Sequence, residues 1–340
     1  MPASTTPRAT AAAPSRGPFP RRASTAAATA WDPHHLPDQT GRTVVVTGGS
    51  AGIGYFIAEQ LAGAGAHVVL AARDADRAAA AQAAITTQHP AAVTSVLPLD
   101  LASLDSVRRA ADALGDLDRV DALVLNAAVM VLRTAGAVTA DGFDPVMGTG
   151  HLGNAALVAH ALPVLARTPG ARVVGTTSGL VRRFHPAIGD LAAASRPLPS
   201  ARPLTVGRRY VLSKAVHEAF FAELDRHLRA TGSSTLALLS HPGVAIGSRS
   251  PLRPGVLDPR RADRGVEPLW GLVGAGKDAG AWSAVRAAAD PHVESGQYWG
   301  PAGRVTGLPV LGAGDPRYRE PALGRRVREE TEELVGVRLP

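Results

Sequence analysis

Cysteine is absent from the 340 residues, which rules out disulfides, thiolate metal sites and a cysteine nucleophile. That absence suits a reducing compartment, and a cytoplasmic location is the expectation. No run of about 18 uninterrupted apolar residues occurs, so no membrane span is expected. Lysine is almost missing as well: Lys214 and Lys277 stand alone, and every other basic residue is arginine. The formal charge of +7 invites a nucleic-acid partner, but Arg8, Arg16, Arg21 and Arg22 supply four of those charges from an acid-free stretch. The rest of the chain interleaves acids and bases, without the clustering that a nucleic-acid surface requires. No nucleic-acid partner and no metal are expected.

What is present is a chain that is 45% hydrophobic, enough for one large core or two modest ones. Residues 1–30 are rich in Ala, Pro, Ser and Thr with no apolar periodicity, and are expected to be a disordered tail. The Arg21-Arg22 pair is followed by Ala, Ser and Thr rather than by an apolar stretch, so an export signal is not favoured. Beyond Arg42, short apolar runs recur at Thr43–Val46, His67–Ala71, Val93–Leu99, Ala122–Leu125, Arg172–Thr176 and Thr235–Leu239. Helix-length segments separate them. Strands that are apolar throughout suit a parallel sheet covered on both faces, and the alternation marks a doubly wound α/β domain over residues 31–310. Residues 182–209 contain several prolines and read as a loop insertion near the substrate. Residues 311–340 form a C-terminal extension, with Glu329–Leu334 a helix-prone run.

The first strand runs into Thr47-Gly48-Gly49-Ser50-Ala51-Gly52-Ile53-Gly54 and then an Ala- and Leu-rich segment. Glycines permit a tight turn and close approach to a pyrophosphate, and the helix N-terminus offers free N–H donors. A mere turn is the alternative. The position between the first strand and a helix favours the dinucleotide reading, and with it a single Rossmann-type doubly wound parallel sheet with helices on both faces. Gly48, Ser50, Gly52, Ile53 and Gly54 are the residues expected at the cofactor. At the end of the second strand stands Ala71-Ala72-Arg73, where a carboxylate would select NAD through the ribose hydroxyls. Arg73 can instead pair with a 2′-phosphate, so NADP(H) is preferred over NAD(H). The competing view makes Arg73 a solvated surface arginine. Asp74 reads as the cap of the next helix.

Tyr210-Val211-Leu212-Ser213-Lys214 places a phenol and an ammonium four residues apart, on one face of a helix. A free phenol has a pKa near 10; a fixed cation beside it would lower that value and let Tyr210 exchange a proton with a substrate oxygen. A plain aromatic–lysine surface pair is the bland alternative.

Together these motifs resemble the short-chain dehydrogenase/reductase family, in its retinol-dehydrogenase-like and protochlorophyllide-reductase-like branch. Further matches follow in order: Asp100-Leu101 after the third strand, Leu125-Asn126-Ala127-Ala128 after the fourth, and His241-Pro242-Gly243 after the sixth. The resemblance implies that Asp100 and Leu101 meet the adenine, and that Asn126 and Ala127 brace the sheet beside the cofactor. It implies that Pro242 and Gly243 contact the nicotinamide end, that Tyr210 and Lys214 also bind the cofactor, and that Ser178 is the catalytic serine beside Tyr210 and Lys214. Thr177 is its runner-up. Read alone, Asp100 is a candidate helix cap and Asn126 a turn residue. A Gly296-Gln297-Tyr298-Trp299-Gly300-Pro301 segment extends the likeness to about residue 305. One departure stands out. In Gly148-Thr149-Gly150-His151-Leu152-Gly153, Gly150 occupies the position where the family carries an Asn that helps hold a water near the lysine. His151 reads as a packed histidine. The resemblance also implies a homodimer or homotetramer.

The expected activity is hydride transfer between NADP(H) and the carbonyl or secondary alcohol of a small, apolar molecule, with residues 180–209 and 244–275 shaping the substrate end. Two rivals remain at the level of sequence: a non-catalytic NADP(H)-binding sensor of the same fold, motivated by Gly150, and a reductase of C=C bonds.

Overall fold

A computed structural model describes residues 31–129, 137–198, 202–256 and 274–340. The tail at 1–30 and much of the expected substrate wall, at 199–201 and 257–273, lie outside the described residues. The apolar runs become strands close to their sequence boundaries: β1 Thr43–Thr47, β2 His67–Ala72, β3 Val93–Pro98, β4 Ala122–Leu125, β5 Arg172–Thr176 and β6 Leu236–Ser240. Short β7 (Ala245–Ile246) and β8 (Ala275–Gly276) pair with each other, and β9 (Tyr298–Pro301) and β10 (Pro309–Gly312) complete the main sheet. Its order is β10-β9-β6-β5-β4-β1-β2-β3. All neighbours are parallel except β10, which runs antiparallel to β9. Every residue of β1, β4 and β5 is buried, as strands covered on two faces must be.

The helices are α1 Gly52–Gly63, α2 Ala75–Gln88, α3 Leu104–Gly115, the single turn α4 Pro145–Met147, α5 Gly153–Leu165, α6 Gly179–Phe184, α7 Leu191–Ala194, α8 Pro203–Ala230, α9 Lys277–Ala289 and α10 Pro321–Val335. A π-helical turn at Gly148–Leu152 joins α4 to α5. On one face α1 packs against α2 and α9; on the other, α3 packs against α5, and α10 lies against α8 and α5. No described helix is long and apolar enough to cross a membrane.

The segment 182–209 departs from the loop expected of it. Its described part holds the end of α6 and all of α7, and α8 already begins at Pro203, well before Tyr210. Proline at the first helical turn gives up an N–H that has no partner there, so it starts this helix rather than breaking one. The C-terminal extension forms the helix expected of it, and its partner is the chain's own α8.

Candidate active site

The carboxyl ends of β1 and β4 adjoin where the strand order reverses, the place where such sheets bind ligands. Asn126 closes that junction. Its Nδ2 donates to the Thr47 carbonyl at 3.2 Å, and the Ala127 N–H donates to Thr47 Oγ1 at 3.0 Å. Gly48 turns with φ +67°. A Cβ at Gly54 would stand 2.3 Å from the Gly48 carbonyl oxygen and 2.5 Å from Asn126 Nδ2, so only glycine lets α1 start this close to the strand. The first turn of α1 has no side-chain cap and no acidic residue. Its N–H donors and the positive end of its dipole are therefore open to an anion.

Beside this turn lies a cavity of about 260 Å³ that Gly48, Ser50, Arg73, Asp100, Leu101 and Ala127 all help to line. Arg77 lines it too, a residue that the sequence reading missed. It lies four positions beyond Arg73 in the first turn of α2, and only the helix start makes that spacing a second arginine on the same cavity. Asp74 caps α2 as expected, accepting from the Arg77 N–H at 3.1 Å. Asp100 Oδ1 accepts from the Ala102 N–H at 3.0 Å, which holds the turn after β3 while its residue borders the cavity. Ile53 and Pro242 do not line that cavity. Both lie near Gly280 in α9, whose Cβ position is 3.7 Å from Ile53 Cδ1 and 3.6 Å from Pro242 Cβ. Gly243, with φ +71°, lies where a Cβ would strike the Val305 carbonyl.

At the end of β5, Ser178 caps α6, its Oγ accepting from the Leu180 N–H at 3.3 Å, and its hydroxyl lies near enough to the Tyr210 phenol to act on it. Thr177 points elsewhere: its Oγ1 donates to the Lys214 carbonyl at 3.4 Å. Val146, Leu198 and Val206 pack around the Tyr210 ring. Lys214 is 2% exposed, and its Nζ donates to the Thr176 carbonyl at 2.7 Å. Burial pulls the ammonium down to about 8. The phenol moves the other way from the expectation. Burial raises its pKa, hydrogen bonding from Ser178 offsets part of the rise, and Lys214 is not among the groups that act on it. The physical reason is that Lys214 is drawn onto a strand carbonyl rather than onto the phenol.

At Gly150 a Cβ would lie 2.8 Å from Ser213 Oγ, so glycine lets the π-helical turn press against α8. Ser213 does not replace the family's Asn, because its hydroxyl donates to the Tyr210 carbonyl at 2.8 Å. His151 is fully buried, as a packed histidine should be, and its Nε2 shares a hydrogen bond with Thr331 Oγ1 of α10 at 2.9 Å.

The family profile for short chain dehydrogenases matches residues 42–188. Human retinol dehydrogenase 13 is 32% identical over 306 residues, covering 88% of this chain and 86% of that protein. A short chain dehydrogenase/reductase of Colletotrichum higginsianum is 37% identical over 230 residues, 63% of this chain, and the match spans 57% of that protein's length. A crystal structure of an uncharacterised Mycobacterium paratuberculosis protein superposes with a TM-score of 0.71 at 30% identity, covering 91% of this chain and 99% of that one. With the glycine turn, the Asn126 brace and the Ser178, Tyr210 and Lys214 side chains in the order and places described, this chain belongs to the short-chain dehydrogenase/reductase family, in its retinol-dehydrogenase-like branch.

Proposed function

We propose that this protein is an NADP(H)-dependent oxidoreductase that reduces the carbonyl of a small, apolar molecule to an alcohol. The observation that carries the reading is the hydroxyl pair Ser178–Tyr210 at the end of β5, on the sheet edge that also forms the cofactor turn. The residues present fit a dinucleotide: a glycine cradle that a Cβ would fill, an uncapped helix N-terminus, and two arginines on one cavity. Gly48, Ser50 and the first turn of α1 would hold the pyrophosphate, and Asp100, Leu101 and Ala127 the adenosine end. Arg73 and Arg77 would pair with a 2′-phosphate; Ile53, Pro242 and Gly243 would border the nicotinamide. When bound, the cofactor supplies the hydride to the carbonyl carbon.

The chain's own residues do the rest. Ser178 donates a hydrogen bond to the substrate oxygen, and Tyr210 delivers its phenolic proton to that oxygen as the alcohol forms. The phenol is protonated at neutral pH, and burial raises its pKa further, so Tyr210 can act as the acid in the reductive direction. Lys214, fixed on the Thr176 carbonyl, would bind the ribose with its remaining donors.

The test is NADPH consumption by the purified full chain against a panel of apolar aldehydes and ketones, with Tyr210→Phe in parallel. Turnover is expected, with kcat falling about 10²–10⁴-fold in the variant while NADPH binding is kept. NADPH binding with no turnover on any carbonyl, or turnover untouched by the substitution, would overturn the reading.

A further inference from the structure

Behind Lys214, away from Tyr210, lies a pair of buried imidazoles. His217, one helical turn further along α8, is 1% exposed, and His151, from the π-helical turn, is fully buried. Their rings stand edge to face with centroids 5.9 Å apart. Gly175 makes room for His217: a Cβ there would fall 2.9 Å from its Nε2 and 2.7 Å from the Phe221 ring. Gly175 directly precedes Thr176, whose carbonyl takes the Lys214 ammonium. Three imidazole nitrogens in this cluster, Nδ1 and Nε2 of His217 and Nδ1 of His151, are buried without a hydrogen-bond partner in the protein. Each such group is costly to bury unpaired. A residue that only filled the space beside Phe221 would be better as leucine or phenylalanine. A neutral imidazole always keeps one acceptor nitrogen, and an ammonium has three donors, of which the Thr176 carbonyl takes one.

We propose that His217, backed by His151, is a positioning residue that holds the remaining Lys214 protons through enclosed water, keeping the ammonium charged and fixed while it serves the cofactor. Buried water typically joins about three otherwise unsatisfied polar groups, and this cluster supplies them. The charged or titratable groups acting on His217 are Lys214 and His151; α10 closes the cluster with the hydroxyl of Thr331 on His151. Burial and the Lys214 charge keep both rings neutral, so they accept hydrogen bonds without taking the proton. The proposal rests on the oxidoreductase reading for the purpose of Lys214, but not for its geometry.

Having only two lysines makes the test direct. The full chain is labelled at lysine and titrated by NMR, with Lys277→Arg assigning the Lys214 signal. His217→Leu is expected to lower the proton affinity of Lys214 at least tenfold, and His217→Asn, which restores an acceptor, to recover most of it. In a turnover assay the leucine variant should raise the KM for NADPH and shift the pH profile, and the asparagine variant should reverse both. An unchanged Lys214 titration in His217→Leu, or an equal shift in the Leu and Asn variants, would show that His217 only packs. If the leucine variant does not fold, histidine ¹⁵N shifts of the unmodified chain decide: the unprotonated nitrogen of His217 must carry the shift of a hydrogen-bond acceptor, and an unshifted nitrogen sinks the proposal. None of the NMR readouts needs a substrate, so they stand or fall independently of the Tyr210→Phe result.

Discussion

Arg73 leaves the end of β2 and Arg77 the first turn of α2, and both residues line the cavity beside the glycine turn. No carboxylate stands between Ala71 and Arg73 to accept from ribose hydroxyls. Hydrogen bonds to charged groups contribute about 1.5–3 kcal/mol, and each 1.4 kcal/mol is a factor of ten in affinity. Arg73→Ala should therefore weaken NADPH by about 10- to 100-fold and leave NADH nearly unchanged, with Arg77→Ala adding a further loss. Equilibrium binding of the two cofactors to each variant checks this. Equal losses for NADH and NADPH would show that the arginines support the fold and do not read a phosphate. The first of these residues was legible because it ends an apolar run. The second was not, since its relevance depends on where α2 begins.

At the scale of elements, the C-terminal segment clasps the region between α6 and α8. Tyr318 Oη donates to the Pro186 carbonyl at 2.8 Å, and His185 Nδ1 pairs with Asp315 at 2.6 Å. From α10, Arg326 donates to the Ile188 and Gly189 carbonyls at 2.8 and 2.9 Å, while Glu330 accepts the Leu191 N–H at 3.0 Å. The bonds to the Pro186, Ile188 and Gly189 carbonyls satisfy backbone groups of a stretch that is neither helix nor strand, and Glu330 meets the first N–H of α7; together they fix the path between α6 and α8. Arg326→Ala removes two of them at once and frees Glu330 from its ion pair at 2.9 Å. The expected result is a several-fold rise in KM for the carbonyl substrate and faster amide exchange over residues 185–191, with NADPH affinity unchanged. A variant that loses NADPH binding in step would place the effect in global stability instead. Sequence patterning exposed α10 through its helix-prone composition, but the partner it covers is decided by tertiary packing. Pro203 misled for a related reason, because a proline reads as a breaker until the helix that it starts is known. The first six strands were legible nearly to the residue, most plainly β1, β4 and β5, where burial at every position leaves no polar residue to interrupt the run; β10, exposed at its middle, showed no such run.

For the whole molecule, buried titratable groups set opposing slopes of stability against pH. Burial holds His151 at about 3 and His241 at about 4, and pushes His217 well below 6.5. These rings stay neutral in the folded chain but take up protons when it unfolds below about pH 6.5. The unfolded state then binds more protons, so their contribution is complete above that pH and is lost as pH falls toward 4. Glu218 acts the other way. Burial first, then the Asp315 charge, pushes its carboxyl up to about 8, so the folded state holds a proton that the unfolded state releases above about 4.3. Its contribution is complete at low pH and disappears as pH rises to 8. Lys214, at about 8 when folded against 10.5 when free, adds stability only as pH climbs beyond 8. Three histidines outweigh one carboxyl below pH 6.5, and between 6.5 and 8 the carboxyl acts with no histidine against it. Stability should therefore peak near pH 6.5 and dip near pH 8, by about 2 kcal/mol or on the order of 4 °C in Tm. Glu218→Gln, which cannot ionise, should flatten that dip while leaving the acid limb in place. Thermal unfolding of both proteins across pH 5–9 reads the two limbs separately. A dip that survives in the glutamine variant would mean that another group carries the alkaline slope, and no dip in the unmodified chain would mean that Glu218 is ionised inside the fold.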